Sequence, residues 1–382
     1  MLSRARQFCM GSAHKTFFSI FVFTFLTKLL FAWRAGIERG WQDELGWQQT
    51  ALTKSLLGTL LSFDAGYPTP VLRALSFFLA QTRMESFLLW HLSVLVIISL
   101  CASSLAFSRR GSLNKNLMFG CLLATYPSFD LLLLHNLSYW FFIPLFVILT
   151  NLIDGGNKLD KPTIASIIFL LFATAKPQIL VCLIVLFTYL LFKKRIPKLE
   201  SLFIFIILLV MLSLGRISQS PITLEFDIES LVNFPLSVSS HLFNVLLPLP
   251  TLAVYALNKT IGSLIVPSYF VFCNLVIILG LCLRNRTIRI SQTALVSFLV
   301  FSVYALGLYF FPNSGWSQDN LLYSGVYSSL FSRHYLPIIL LVCFVLSNFI
   351  KKGQIPSLIL AIAIVQNLAM QIFLFNKFYF PV

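Results

Sequence analysis

Charge is what this sequence has least of. Asp, Glu, Lys and Arg together make up 11% of its 382 residues, against about 25% in an ordinary soluble domain. A disordered chain needs the opposite bias, so disorder is excluded. Acid is rarer than base: 13 Asp and Glu stand against 28 Lys and Arg. The seven cysteines show no CxxC spacing, and all but Cys9 lie in apolar runs. That leaves no zinc signature and no disulfide framework, only small packing residues. No P-loop, GxGxxG, GxSxG or HExxH occurs, which removes the signature of an ATP-driven pump and those of common nucleotide and hydrolase sites. Linkers, low-complexity tracts and internal repeats are missing too, as is the pair of matching broken helices that marks many transporters. The chain reads as a single transmembrane domain over 1–382.

Apolar residues are what it has in excess. They fill 58% of the chain, and the mean hydropathy is +0.87. A soluble domain of this size could not hide so much apolar surface, so an all-α, polytopic membrane protein is expected. Apolar runs able to cross a bilayer, or nearly so, fall at 17–33, 86–107, 117–135, 138–153, 163–175, 178–192, 201–216, 263–283, 293–312, 336–351 and 355–375. The first follows Arg4, Arg6 and Lys15. It is long for a signal peptide and no A-x-A-like site follows, so it reads as an uncleaved first helix.

A twelfth run, 242–257, carries Pro248 and Pro250, and loop charge decides its status. With the N-terminus inside, a spanning 242–257 would put Arg284, Arg286 and Arg289 outside. Cytoplasmic loops carry an excess of Lys and Arg, so 242–257 reads as an outer-face or re-entrant segment. Eleven spans result, with the C-terminus outside. Seventeen Lys and Arg then lie inside, ten lie outside, and Lys28 lies within the first helix. The inner side nets +14 and the outer side is nearly neutral. Positive charge spread over short inner loops excludes a nucleic-acid partner. The expected location is a cell membrane, the bacterial inner membrane in particular.

The long loops, 34–85, 217–262 and 313–335, all fall outside and form the expected active-site face. Long loops are often functional. The first holds Trp41-Gln42-Asp43-Glu44, then apolar residues at helical spacing over 50–62 and 70–81. These pieces read as helices lying on the membrane surface. A carboxylate held there suits deprotonation of a sugar hydroxyl; the plain alternative is a pair of solvated loop charges. Asp64 is a second candidate acid, or it shapes a turn with Pro68, and Arg73 follows. Asp130 interrupts the third span, and an acid in a span is a functional hypothesis by default. His135-Asn136 at the next outer turn suits a ligand phosphate or hydroxyl, or is an ordinary polar turn. The following Tyr139-Trp140 reads as an interfacial aromatic pair. Ala175-Lys176-Pro177-Gln178 separates two short runs and puts an ammonium near head-group level, for a phosphate or merely snorkelling. Ser332-Arg333-His334-Tyr335 opens the tenth span from outside, and Arg can fork onto phosphate oxygens. Glu225, Asp227 and Glu229 read as a solvated stretch. All the candidate groups share one face, with Asp130 within its reach.

This layout resembles the GT-C superfamily of multi-span glycosyltransferases, which use polyprenyl-phosphate-linked sugars. Three features carry the resemblance: the acid pair Asp43-Glu44 soon after the first helix, followed by amphipathic pieces; Lys176-Pro177-Gln178 between short helices, similar to the polyprenol-phosphate-mannose-type mannosyltransferases; and the late Ser332-Arg333-His334-Tyr335. His135-Asn136 stands where that family often carries Gly-Gln. The resemblance implies Asp43 or Glu44 as catalytic base, Lys176 and Arg333 near the donor phosphate, and a polyprenyl-phosphate sugar donor with a glycan or lipid-linked acceptor. A phosphate monoester leaving group implies no obligatory metal and no cofactor. Two other classes compete. A transporter or flippase of lipid-linked oligosaccharide should place ionisable groups at the midplane, where only Lys28 and Asp130 come near. A polysaccharide polymerase should carry an Arg-rich outer loop, and the loops 217–262 and 313–335 do not.

Overall fold

A computed structural model describes residues 2–35, 49–60, 70–81, 87–108, 113–124, 140–155, 160–174, 177–192 and five positions between 203 and 210. All of these belong to one compact unit formed by Met1–Ala124 and Leu132–Ser220; the other unit, Thr125–Leu131 with Pro221–Val382, lies outside the described residues. The described part is all helical.

Helix α1 spans Leu2–Ala35. Its 34 residues correspond to about 51 Å of length, well beyond the run at 17–33. Two short pieces follow, residues 49–53 and α2 (Leu56–Leu60), then α3 (Pro70–Ala80). Helix α4 (Leu88–Ser103) tightens into a 3-10 turn at Ser104–Phe107. Helices α5 (Leu113–Ala124), α6 (Phe142–Gly155), α7 (Lys161–Thr174) and α8 (Pro177–Phe192) complete the described set. Five expected spans thus carry helix where they are described, at 17–33, 86–107, 138–153, 163–175 and 178–192, and α5 covers the start of the 117–135 run.

Local chemistry sets several boundaries. Asp160 caps α7: its carboxylate accepts the Thr163 N–H at 3.0 Å, the usual N-cap bond. Bonds from the Thr163 hydroxyl and N–H hold this exposed carboxyl below its ordinary range. Helix α8 begins on Pro177, whose missing N–H costs nothing at a first helical position.

Two helical stretches, Gly11–Leu30 and Leu88–Phe107, are long and apolar enough to cross a membrane. Only 22% of the first is buried, so its apolar surface is not spent on a protein core. Its outward side carries Phe18, Leu26, Leu30 and Trp33, each 57–75% exposed. Its inward row, four residues apart, is Thr16, Ile20, Thr24, Lys28 and Ala32. That is the reverse of a soluble surface helix, which turns its polar side out. A helix in lipid needs this reversed arrangement.

Helices α1 and α4 are antiparallel. Phe17 meets Phe107, with ring centroids 5.5 Å apart, and His14 meets the same ring. At the other end Ala32 packs with Leu95, flanked by Phe25, Leu29, Leu88 and Leu92. Helix α5 approaches α1 so closely that a Cβ on Gly120 would lie 2.7–2.8 Å from three Ile20 side-chain atoms. Only a residue without a side chain fits there. Asn151 near the end of α6 donates to the Phe107 carbonyl at 3.2 Å. Phe141 at its start lies edge-on to Phe169 of α7. One end of the bundle therefore gathers His14, Lys15, Phe107, the start of α5 and the end of α6. The opposite end gathers Ala32, Leu88, Trp140 and Phe141, and the chain between α1 and α4 leaves and returns there.

Candidate functional site

Buried polar groups occur toward both ends of the bundle, and two ionisable ones, Lys28 and His91, lie toward the end opposite Lys15. Lys28 is 4% exposed, and its ammonium lies 6.0 Å from the centroid of the Trp140 indole ring. This distance is at the outer edge of cation–π range. Trp140 itself is fully buried. Trp140, two residues ahead of α6, is thus enclosed by protein near Lys28 and not presented on an outer surface, as the interfacial reading expects. Thr24, one turn below Lys28 on the same row, is also fully buried.

The Thr24 hydroxyl stands apart from its peers. A Ser or Thr inside a helix usually bonds the carbonyl four residues back. Thr27, Thr53, Ser99, Ser103, Thr150, Ser166 and Thr188 all do so. Thr24 Oγ1 is buried and makes no hydrogen bond, and Thr59 Oγ1 shares that state. A buried hydroxyl left unmade costs about 1–3 kcal/mol, which the rest of the fold must offset.

Thr59 belongs to the second polar group. Arg73 on α3 is 2% exposed and donates from Nη1 to the Thr59 carbonyl on α2 at 3.5 Å, long for a hydrogen bond. Ser76 lies one turn on, also buried. The opposite sides of these short helices present Leu52, Leu56, Leu57 and Phe78 to the exterior. The amphipathic character expected over 50–62 and 70–81 is thus present, with guanidinium and hydroxyl inward and large apolar groups outward.

On α4, His91 is completely buried, tilted against Phe87. It is the fourth residue of its helix, so it sits about 5 Å from that end. Lys28 lies seven residues from the end of α1, a depth of about 10 Å. Among the described residues the acids are Asp154 and Asp160, and both belong to the opposite end.

Of the residues expected from sequence, Arg73 is described and is buried in this region. Gln178 is the second residue of α8, and its backbone alone is described. Asp43, Glu44, Asp64, Asp130, His135, Asn136, Lys176, Arg333 and His334 lie outside the described residues, as do the runs 242–257, 263–283, 293–312, 336–351 and 355–375. Sequence reasoning gave no role to Thr24, Thr59 or His91 and noted Lys28 only for its depth. One signal was available: Thr24 and Lys28, four residues apart inside an apolar run, with Thr16 eight residues before Thr24. Among the described residues no His, Cys, Asp and Glu cluster could hold a metal ion.

No protein family, curated protein or solved structure matches the chain.

Proposed function

We propose that this chain is an integral-membrane glycosyltransferase of the GT-C type. It crosses the membrane about eleven times, with the N-terminus cytoplasmic and the C-terminus outside. It transfers a sugar from a polyprenyl-phosphate donor to a glycan or lipid-linked acceptor at the outer face. Asp43, with Glu44 and Asp64 as the other candidate acids, accepts the proton of the acceptor hydroxyl. The hydroxyl oxygen attacks the anomeric carbon as the bond to the phosphate oxygen breaks, inverting that carbon. Lys176 and Arg333, aided by Arg73, stabilise the phosphate that leaves, the electrostatic contribution that is commonly the largest in catalysis. Asp130, His135, Asn136, Gln178 and His334 contact the substrates.

The observation that carries this reading is the buried Arg73 inside a pair of short helices whose other side is apolar and exposed. A guanidinium so held faces inward from a lipid-contacting platform, which suits a phosphate carried on a lipid. The depth of His91 favours the same reading over a transporter, because at about 5 Å from its helix end it lies nearer to that end than to the middle of a hydrocarbon layer about 30 Å thick. Lys28, about 10 Å deep, lies closer to the middle.

The test is direct. Purified protein is incubated with a panel of polyprenyl-phosphate sugars and an acceptor mixture, and release of polyprenyl phosphate is measured. Asp43→Asn is expected to abolish release while the protein stays folded. Full activity in Asp43→Asn, Glu44→Gln and Asp64→Asn alike would reject the mechanism. No turnover and no binding across the panel would favour the transporter.

A further inference from the structure

We infer that Lys28 and Thr24 form a binding site for a phosphate monoester within the helix bundle, beside the Trp140 ring. The inference rests in part on the proposed use of a lipid-phosphate donor, and it adds two residues that no motif marked to the groups that bind its phosphate. Four observations carry it. Lys28 and Thr24 are one turn apart on the inward row of α1, and both are buried. The Thr24 hydroxyl makes no hydrogen bond, although seven other hydroxyls in these helices return to their own backbone. Trp140, fully buried, lies beside the ammonium. The pair sits on α1 toward the end where the chain between α1 and α4 emerges.

The chemistry follows from the donor inventory. An ammonium offers N–H donors and no acceptor, while a hydroxyl can both donate and accept. Two donors one turn apart on the buried row of one helix, one of them charged, fit an anionic oxygen group. Lys supplies a point charge of the kind that suits phosphate. In a low-dielectric interior such contacts are stronger than in water. A depth of about 10 Å from the helix end is within reach of a lipid phosphate drawn below the head-group plane. Serine would keep the second donor at position 24, whereas valine would keep the shape and remove it.

The experiment uses the full chain in nanodiscs and compares undecaprenyl phosphate with undecaprenol, and separately with inorganic phosphate. Wild type is expected to bind the phosphorylated lipid in preference to the alcohol. Lys28→Met should weaken that binding by about tenfold or more, Thr24→Val by about two- to tenfold, and Thr24→Ser little. Replacing a buried charge by a similar apolar group is commonly tolerated by the fold, and size-exclusion profiles check this. Thr24→Val is nearly isosteric and keeps the test open if Lys28→Met fails. Equal binding of phosphate and alcohol by wild type overturns the site, and so does undiminished binding in both Lys28→Met and Thr24→Val. Inorganic phosphate binding with the same variant losses supports the site, with the phosphate alone as the recognised group. Retained binding without sugar transfer from any donor would reject the transferase and leave this site standing.

Discussion

The two ends of the helix bundle use their polar side chains differently. At the end that holds Lys15, the side-chain bonds are structural. Asn116 donates to the Ser108 carbonyl at 3.0 Å, Asn151 ties α6 to Phe107, and Asp160 caps α7. The first closes the short connection between α4 and α5, the second joins helices distant in sequence, and the third caps a helix start. Toward the opposite end Lys28, His91 and Trp140 are buried, and the nearby Thr24 hydroxyl makes no bond. The bonded side chains of the first end hold helices in place, whereas the unbonded Thr24 hydroxyl carries a cost of about 1–3 kcal/mol that the proposed phosphate site would relieve.

The strongest way to test the contrast is to remove its largest buried side chain. Trp140→Ala should cost about 3–5 kcal/mol of stability, read as a large fall in the thermal unfolding midpoint in detergent. A small fall would mean that the Trp140 ring is not enclosed as described. Next in size is the close crossing of α1 and α5. Gly120→Ala should destabilise by about 1–3 kcal/mol through overpacking, and Ile20→Ala in the same chain should recover part of that loss. Strictly additive effects in that double-mutant cycle would show that the two residues do not touch. Smaller again is Asn116→Ala at the structural end, expected to cost about 1 kcal/mol with donor binding unchanged. If it alters binding but not stability, the assignment of the two ends is reversed.

The smallest effect comes from Asp160, and pH reads it. Its carboxyl is held below the ordinary range by bonds to Thr163. The stabilisation is therefore fully present above the ordinary carboxyl range and is lost as pH falls through the lowered folded-state value. Wild type should lose a small increment of thermal stability on acidification below about pH 4. Asp160→Asn should lack that pH-dependent increment, because asparagine caps a helix without titrating. An identical acid response in both proteins would mean that the cap bond does not form.

The helices were legible in the sequence because length and apolar content decide them. The 86–107 run matches Leu88–Phe107 to within two residues, and 178–192 matches α8 to within one. Pro177 and Asp160 announce their helix starts through ordinary local chemistry. What was not legible is which side of each helix turns inward. That depends on neighbours distant in sequence, and α1 is apolar on most of its circumference. Lys28 could be placed within a helix from sequence, but its approach to Trp140 joins residues 112 positions apart. For the same reason Trp140 reads from sequence as an interfacial residue, and its enclosure beside Lys28 shows only in the folded chain. Of the expected site residues, Arg73 is the one whose side chain is described, and it is buried. Its contact with Thr59 required knowing that α2 and α3 pack together.

One feature of α1 reaches beyond the chain itself. Lys15 and the strongly exposed Trp33 are 18 positions apart on one continuous helix, about 27 Å along its axis. In the proposed membrane setting these two residues act as float marks: the ammonium holds to water on one side, and the indole settles at the interface on the other. Their spacing is slightly shorter than a typical hydrocarbon layer of about 30 Å. In that proposed setting a thicker layer would have to thin locally around the first helix or be met by oligomerisation.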